Sequence, residues 1–128
     1  MDTRGFVSKA GYAFMIFLPD TSSPASFAWE AGPADAARIA GAAGRVGIDL
    51  AETTWCAYAQ PMARGETGNR RFFVNQAGDV MQSANEVARA QGVSVVINGN
   101  SAFIGFGITS RVAVGTVGLD GDVWKVSN

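Results

Sequence analysis

Asp120 and Asp122 flank a glycine in the stretch Gly118-Leu119-Asp120-Gly121-Asp122. Alternate carboxylates around a glycine can curl their oxygens toward a hard cation, which makes the two aspartates candidate calcium ligands and calcium the one cofactor this chain suggests. Asp49, Glu52 or Asp79 could add oxygens from elsewhere, but the full spacing of a calcium loop is absent and a plain turn explains the same residues. Acid–base catalysis needs two carboxyl groups at a set separation, and no spacing among Glu30, Asp49, Glu52, Glu66 and Asp79 selects a pair. The chain has no histidine and a single cysteine, Cys56. That removes an internal disulfide, the usual zinc sets and every Ser-His-Asp or Cys-His nucleophile. The reading is a protein that is not an enzyme.

Aromatic and basic residues offer a different chemistry. Trp29 and Trp124 are candidate binding residues, as exposed indoles that could receive a sugar or another small ligand; the ordinary place for an indole is the edge of a core with its N–H satisfied. Arg70-Arg71-Phe72-Phe73 could suggest an RNA-binding strand, in which cations clamp phosphate and rings stack on bases. Adjacent strand residues face opposite sides, so the two rings cannot form one platform. One phenylalanine is expected in the core and both arginines in solvent. Ten basic against eleven acidic residues leave a net charge of −1, without the basic footprint of a nucleic-acid or anionic-membrane binder. Gly105 to Arg111 has two glycines but no following helix or Lys-Ser/Thr, and is no phosphate loop. Cys56 reads as a small buried apolar residue.

The elements that must position these groups are short. A chain of 128 residues is one domain, spanning residues 1–128. "GYAFMIFLPD" reads as a buried strand, "FAWE" as a short one, and "TTWCAYAQP" as a strand with Trp55, Ala57 and Ala59 on one side and Cys56, Tyr58 and Gln60 on the other. "RRFFV" and "DVMQS", joined by "NQAG", form a hairpin, since Asn75 suits a turn start and Gly78 a positive φ. Pro33 to Glu52 predicts a helix weakened by Gly41, Gly44 and Gly47, and Ser83-x-x-Glu86 predicts a second, short helix closed by Gly92. "VSVVI", "AFIGFGI", "RVAVGTV" and "VWKV" read as further strands. The expected class is α+β, a mostly antiparallel sheet with one or two short helices. The longest apolar run, Ala10 to Leu18, is too short to span a bilayer as a helix.

Gly11-Tyr12-Ala13-Phe14, Ala59-Gln60-Pro61, the block Thr67 to Gly78 and the late turn Gly118 to Asp122 together resemble the soluble head of prepilin-type and pseudopilin proteins. Such heads carry an "SGY-x-F" strand, an "A-x-P" strand end and a "TGNR-x-F(F/Y)V(D/N)Q-x-G" hairpin, so the likeness covers about half of the chain. It implies a pilin-like head: a structural subunit or tip component of a cell-envelope filament, type IV pilus or type II secretion apparatus, placed at the periplasmic or extracellular surface of a bacterium. Other pilin-like subunits, including further copies of itself, would be its partners. The family's N-terminal apolar helix, whose outer half packs on the sheet, has no counterpart before Gly11; membrane contact would come only through that helix. Some pseudopilins hold calcium in a C-terminal loop, which touches on Asp120 and Asp122. If a helix belongs on this sheet, the face beneath it should be apolar and include Phe14 or Ile16. A second reading is an exported module that binds a small molecule, glycan or protein through exposed aromatic residues.

Overall fold

Apolar side chains occupy every position from Tyr12 to Pro19, so in an extended conformation both sides of this segment are water-averse. In a computed structural model that describes residues 6–20, 25, 27–29, 48–92 and 99–127, this segment is the longest described strand of one sheet and stands next to its edge. The strands are β1 (Phe6–Lys9), β2 (Tyr12–Pro19), β3 (Phe27–Trp29), β4 (Cys56–Pro61), β5 (Arg71–Asn75), β6 (Met81–Ser83), β7 (Thr116–Val117) and β8 (Val123–Val126), with one helical turn, α1 (Ile48–Ala51), before β4. They run β1-β2-β4-β5-β6-β8-β7, and β3 pairs with the end of β2 on the same edge as β1. Every neighbouring pair is antiparallel.

Tight turns set the registers. Ala10 and Gly11 join β1 to β2 with φ of 54° and 80°, the left-handed pair that a two-residue hairpin requires. Between β5 and β6, Gly78 sits at φ 89° and donates its N–H to the Asn75 carbonyl, while the Asn75 side chain accepts from Ala77.

One face of the sheet carries the core. Ala13, Met15, Phe17, Cys56, Tyr58, Phe73, Met81 and Trp124 alternate inward along their strands and are buried under Ala102, Phe103, Ile108 and Ala113. Rings meet through this layer: the Tyr58 centroid lies 5.9 Å from Phe17 and the Phe103 centroid 5.5 Å from Phe73, both edge to face, and Tyr58 and Phe73 meet tilted at 5.1 Å. The Tyr58 hydroxyl fastens cover to sheet, donating to the Gly99 carbonyl at 2.6 Å and accepting from Ala102 N–H at 3.0 Å. Tyr58→Phe strands both backbone groups in the interior and is expected to lower unfolding free energy by about 1–3 kcal/mol in a urea titration. A neutral result would mean that water reaches this junction.

The α+β expectation is corrected. Among the described residues only the four of α1 are helical, and the domain is a nearly all-antiparallel sheet with an irregular cover. The helix predicted after Ser83 does not form. Ser83 ends β6, paired with Arg71 and Trp124, and Asn85 takes φ 56°, where a right-handed helix cannot continue. The N–H groups of Glu86, Val87 and Ala88 are captured by the Asp122 carboxylate at 2.9–3.1 Å, and Asn85 brackets the loop through both main-chain groups of Ala90. A local capping signal loses here to a buried carboxylate supplied from far along the chain. "AFIGFGI" and "RVAVGTV" are also not regular strands: they form turns joined by one bridge, Phe103 to Val112, and only Thr116–Val117 enters the sheet. Of the helix predicted over Pro33 to Glu52, residues 33–47 lie outside the described residues, as does the strand predicted over residues 93–97.

Candidate functional site

The opposite face of the sheet has no cover among the described residues. Strand parity places Val7 and Lys9 of β1, Tyr12, Phe14 and Ile16 of β2, Ala57 and Ala59 of β4, and Phe72 and Val74 of β5 on this side. Direct pairing lines them up in rows: Val7, Phe14, Ala59 and Phe72 in one, Ile16, Ala57 and Val74 in the next. Phe14 is 42% and Ile16 38% exposed, although they sit in the longest strand of the molecule. Those two side chains were the ones expected on an uncovered apolar face.

The rows have a shape. Between the walls of Phe14 and Ile16 on one side and Phe72 and Val74 on the other, β4 contributes Ala57 and Ala59, so the middle of the face is low, and Pro61 follows them opposite Tyr12. The resulting slot follows β4 and holds two shallow depressions of about 130 and 260 Å3. Tyr12 and Phe72 bound its upper end with ring centroids 6.0 Å apart, and the Tyr12 hydroxyl donates to the Arg70 carbonyl at 3.2 Å. Small-molecule sites are typically about 300–1,000 Å3 and place several polar groups around the ligand. Each depression falls below that range, and the slot is open and almost wholly apolar, without the convergent polar groups of a small-molecule site. Lys9 and Lys125, both exposed, and Arg70, which bonds Gln82, stand at its margins.

The two candidate calcium ligands lie elsewhere and have partners, and Glu30 lies outside the described residues. Asp120 accepts from Arg71 Nη1 and Trp124 Nε1, each at 3.2 Å, and from Asp122 N–H at 2.9 Å. Asp122 is buried and accepts the three amides of residues 86–88. Both carboxylates are thus surrounded by hydrogen-bond donors, a setting built for anions, and they do not fit a calcium loop. Among the described residues no group of three or more His, Cys, Asp or Glu side chains is placed to hold a metal ion. Asp49, Glu52, Glu66 and Asp79 are exposed.

Trp124 is fully buried in the core, its N–H spent on Asp120, and presents no indole to solvent. Trp29 ends β3, its backbone paired with Phe17. Phe73 is the core member of its pair and Arg70 the exposed one, as parity implies. Arg71 departs from expectation: it is buried, with its guanidinium 5.1 Å from the Tyr58 ring and 5.6 Å from the Trp124 ring. Burial pushes the Arg71 guanidinium down and the Asp120 carboxyl up from their ordinary values, and their mutual attraction opposes both shifts. Burial likewise raises the Cys56 thiol far above its ordinary range, which leaves it neutral and unreactive.

Compared with known protein families, with curated proteins and with solved structures, the chain matches none. No helix among the described residues is long and apolar enough to cross a membrane.

Proposed function

We propose that this domain is a pilin-like head, a non-catalytic structural subunit or tip component of a bacterial cell-envelope filament or secretion apparatus, standing at the periplasmic or outer surface. The observation that carries this reading is the slot between Phe14, Ile16, Phe72 and Val74 over the Ala57 and Ala59 floor. A sheet with apolar side chains on both faces needs both covered, and residues 102–113 cover one. The other has no cover among the described residues, and on this reading it takes one from the assembly. The likeness to pilin-like heads supplies the kind of cover: an apolar helix laid along the strands, for which a low alanine floor between larger walls is the right relief. Among the described residues, Asp120 and Asp122 are committed to internal donors and Asp49, Glu52, Glu66 and Asp79 are dispersed on the surface, which supports a non-catalytic role.

Antibody raised against the domain tests the reading in the bacterium that makes it. The antibody should decorate filaments or an envelope-bound complex, and deletion of the gene should disrupt that structure. A protein recovered only as a free monomer, with every surface assembly intact in the deletion strain, would overturn it.

A further inference from the structure

On the covered face of the sheet, Arg71 stands directly opposite Ser83, Ser83 stands opposite Trp124, and Gln60 and Arg71 follow one residue beyond the Ala59–Phe72 pair. Gln60, Arg71 and Ser83 therefore form one cross-strand row, and all three are buried. Each leaves one polar atom without a hydrogen-bond partner among the described residues: Gln60 Oε1, Arg71 Nε and Ser83 Oγ. Gln60 and Arg71 each have another polar group already engaged. Gln60 Nε2 donates to the Gly92 carbonyl at 2.7 Å, and Arg71 Nη1 is paired with Asp120. Buried polar atoms without partners are rare, and three in adjacent positions of one row are not independent events.

We propose that this row binds one sequestered water molecule, which accepts from Arg71 Nε–H, donates to Gln60 Oε1 and exchanges a hydrogen bond with the Ser83 hydroxyl.

The chemistry of the three atoms selects the ligand. Nε–H only donates and Oε1 only accepts, so the bound species must do both. It must be neutral: the Arg71 charge is matched by Asp120, an anion would face the lone pairs of Oε1, and a cation would face the guanidinium. It must also be small, because residues directly opposite in a sheet have Cβ atoms only about 4.5–5.5 Å apart. Buried waters in proteins typically make about three such bonds, and here three atoms are waiting for them. The molecule would join β4, β5 and β6 at the polar end of the interior, beside the ion pair.

The test is a water-resolved heteronuclear NOE experiment on the wild-type domain, read at Arg71 Hε. A long-lived bound water gives a cross-peak to the water line with the sign of a slowly tumbling complex, on an Hε that exchanges slowly. The Gln60→Leu, Ser83→Ala double variant, checked for folding by near-ultraviolet circular dichroism, should lose that cross-peak. A slowly exchanging wild-type Hε with no water cross-peak would overturn the proposal, as would an Hε lost to rapid exchange. So would a high-resolution crystal structure in which Nε donates straight to Gln60 Oε1 or Ser83 Oγ. The wild-type measurement decides the matter even if the double variant does not fold.

Discussion

Asp120→Asn is expected to lower the stability of the domain by about 3–5 kcal/mol, read as a fall in the urea midpoint, because it removes one charge from a buried ion pair and leaves the other. The Arg71 and Asp120 side chains are 2% and 6% exposed and 3.2 Å apart. Asparagine keeps the shape of the side chain and an oxygen for Trp124 Nε1 and the Asp122 amide, but sets an NH2 donor against Arg71 Nη1, so the charge and the hydrogen bond to Arg71 are lost together. Arg71 would then be a cation enclosed by the Tyr58 and Trp124 rings without its direct ion-pair partner, with only the weaker influence of the Asp122 carboxylate remaining. Domains of this size are stable by about 5–15 kcal/mol, so the loss is a large share of the whole. The pair Arg71→Met and Asp120→Leu together should cost much less than the sum of the two single changes, since no lone charge remains. A cost below about 1 kcal/mol for Asp120→Asn would mean that water screens the pair.

Phe14→Glu has the second large effect, and it falls on assembly. A carboxylate in the wall of the slot must be desolvated when the slot is covered, and it replaces a ring that would sit near the centre of the contact. Central aromatic residues commonly contribute 2 kcal/mol or more to such contacts, so association should weaken by at least about 30-fold. Phe14 is half-exposed in the lone domain, so its own stability should move by only a few tenths of a kcal/mol. Phe106→Ser is the control. Phe106 is 79% exposed, but it lies in the cover loop whose Phe103 and Ile108 point at the other face of the sheet. Sedimentation and incorporation into envelope fractions separate the two variants. A Phe14→Glu subunit that assembles like wild type would show that the slot is not a contact.

Much of the sheet is legible in the residues themselves. Alternation in "TTWCAYAQP" and the Asn75 to Gly78 turn located β4, β5 and β6, and the apolar run before Pro19 located β2. The failures share a cause. Ser83-x-x-Glu86 has the residues of a helix start, but the partner that decides the matter, Asp122, is distant in sequence and is brought to the loop by the pairing of β8 with β6. "AFIGFGI" has strand composition without strand alternation, and its glycines let it fold as turns over the core. The Ala10-Gly11 hairpin lacked an Asn or Asp to announce it.

The site was legible in part. That β2 is apolar on both sides can be read from its residues, which is why Phe14 and Ile16 could be named; the low floor of Ala57 and Ala59 becomes a slot only when β4 lies between β2 and β5. The burial of Arg71 did leave a signal. It shares strand parity with Phe73, and a basic residue two positions from a core phenylalanine must either bend to solvent or find an acidic partner inside. Asp120, the partner, read as part of a turn.

Cysteine labelling tests the central claim most directly. The natural Cys56 is buried and neutral, so it contributes no background in the folded protein. Phe14→Cys, Ile16→Cys and Val74→Cys place thiols in the slot, and Val114→Cys places one on the exposed cover. In intact cells that make the protein, the slot thiols should resist a small maleimide while the Val114→Cys thiol reacts, and all four should react in the purified domain. Equal reactivity of slot and cover thiols in cells would mean that the outer face remains bare, and the domain would not be the building block described.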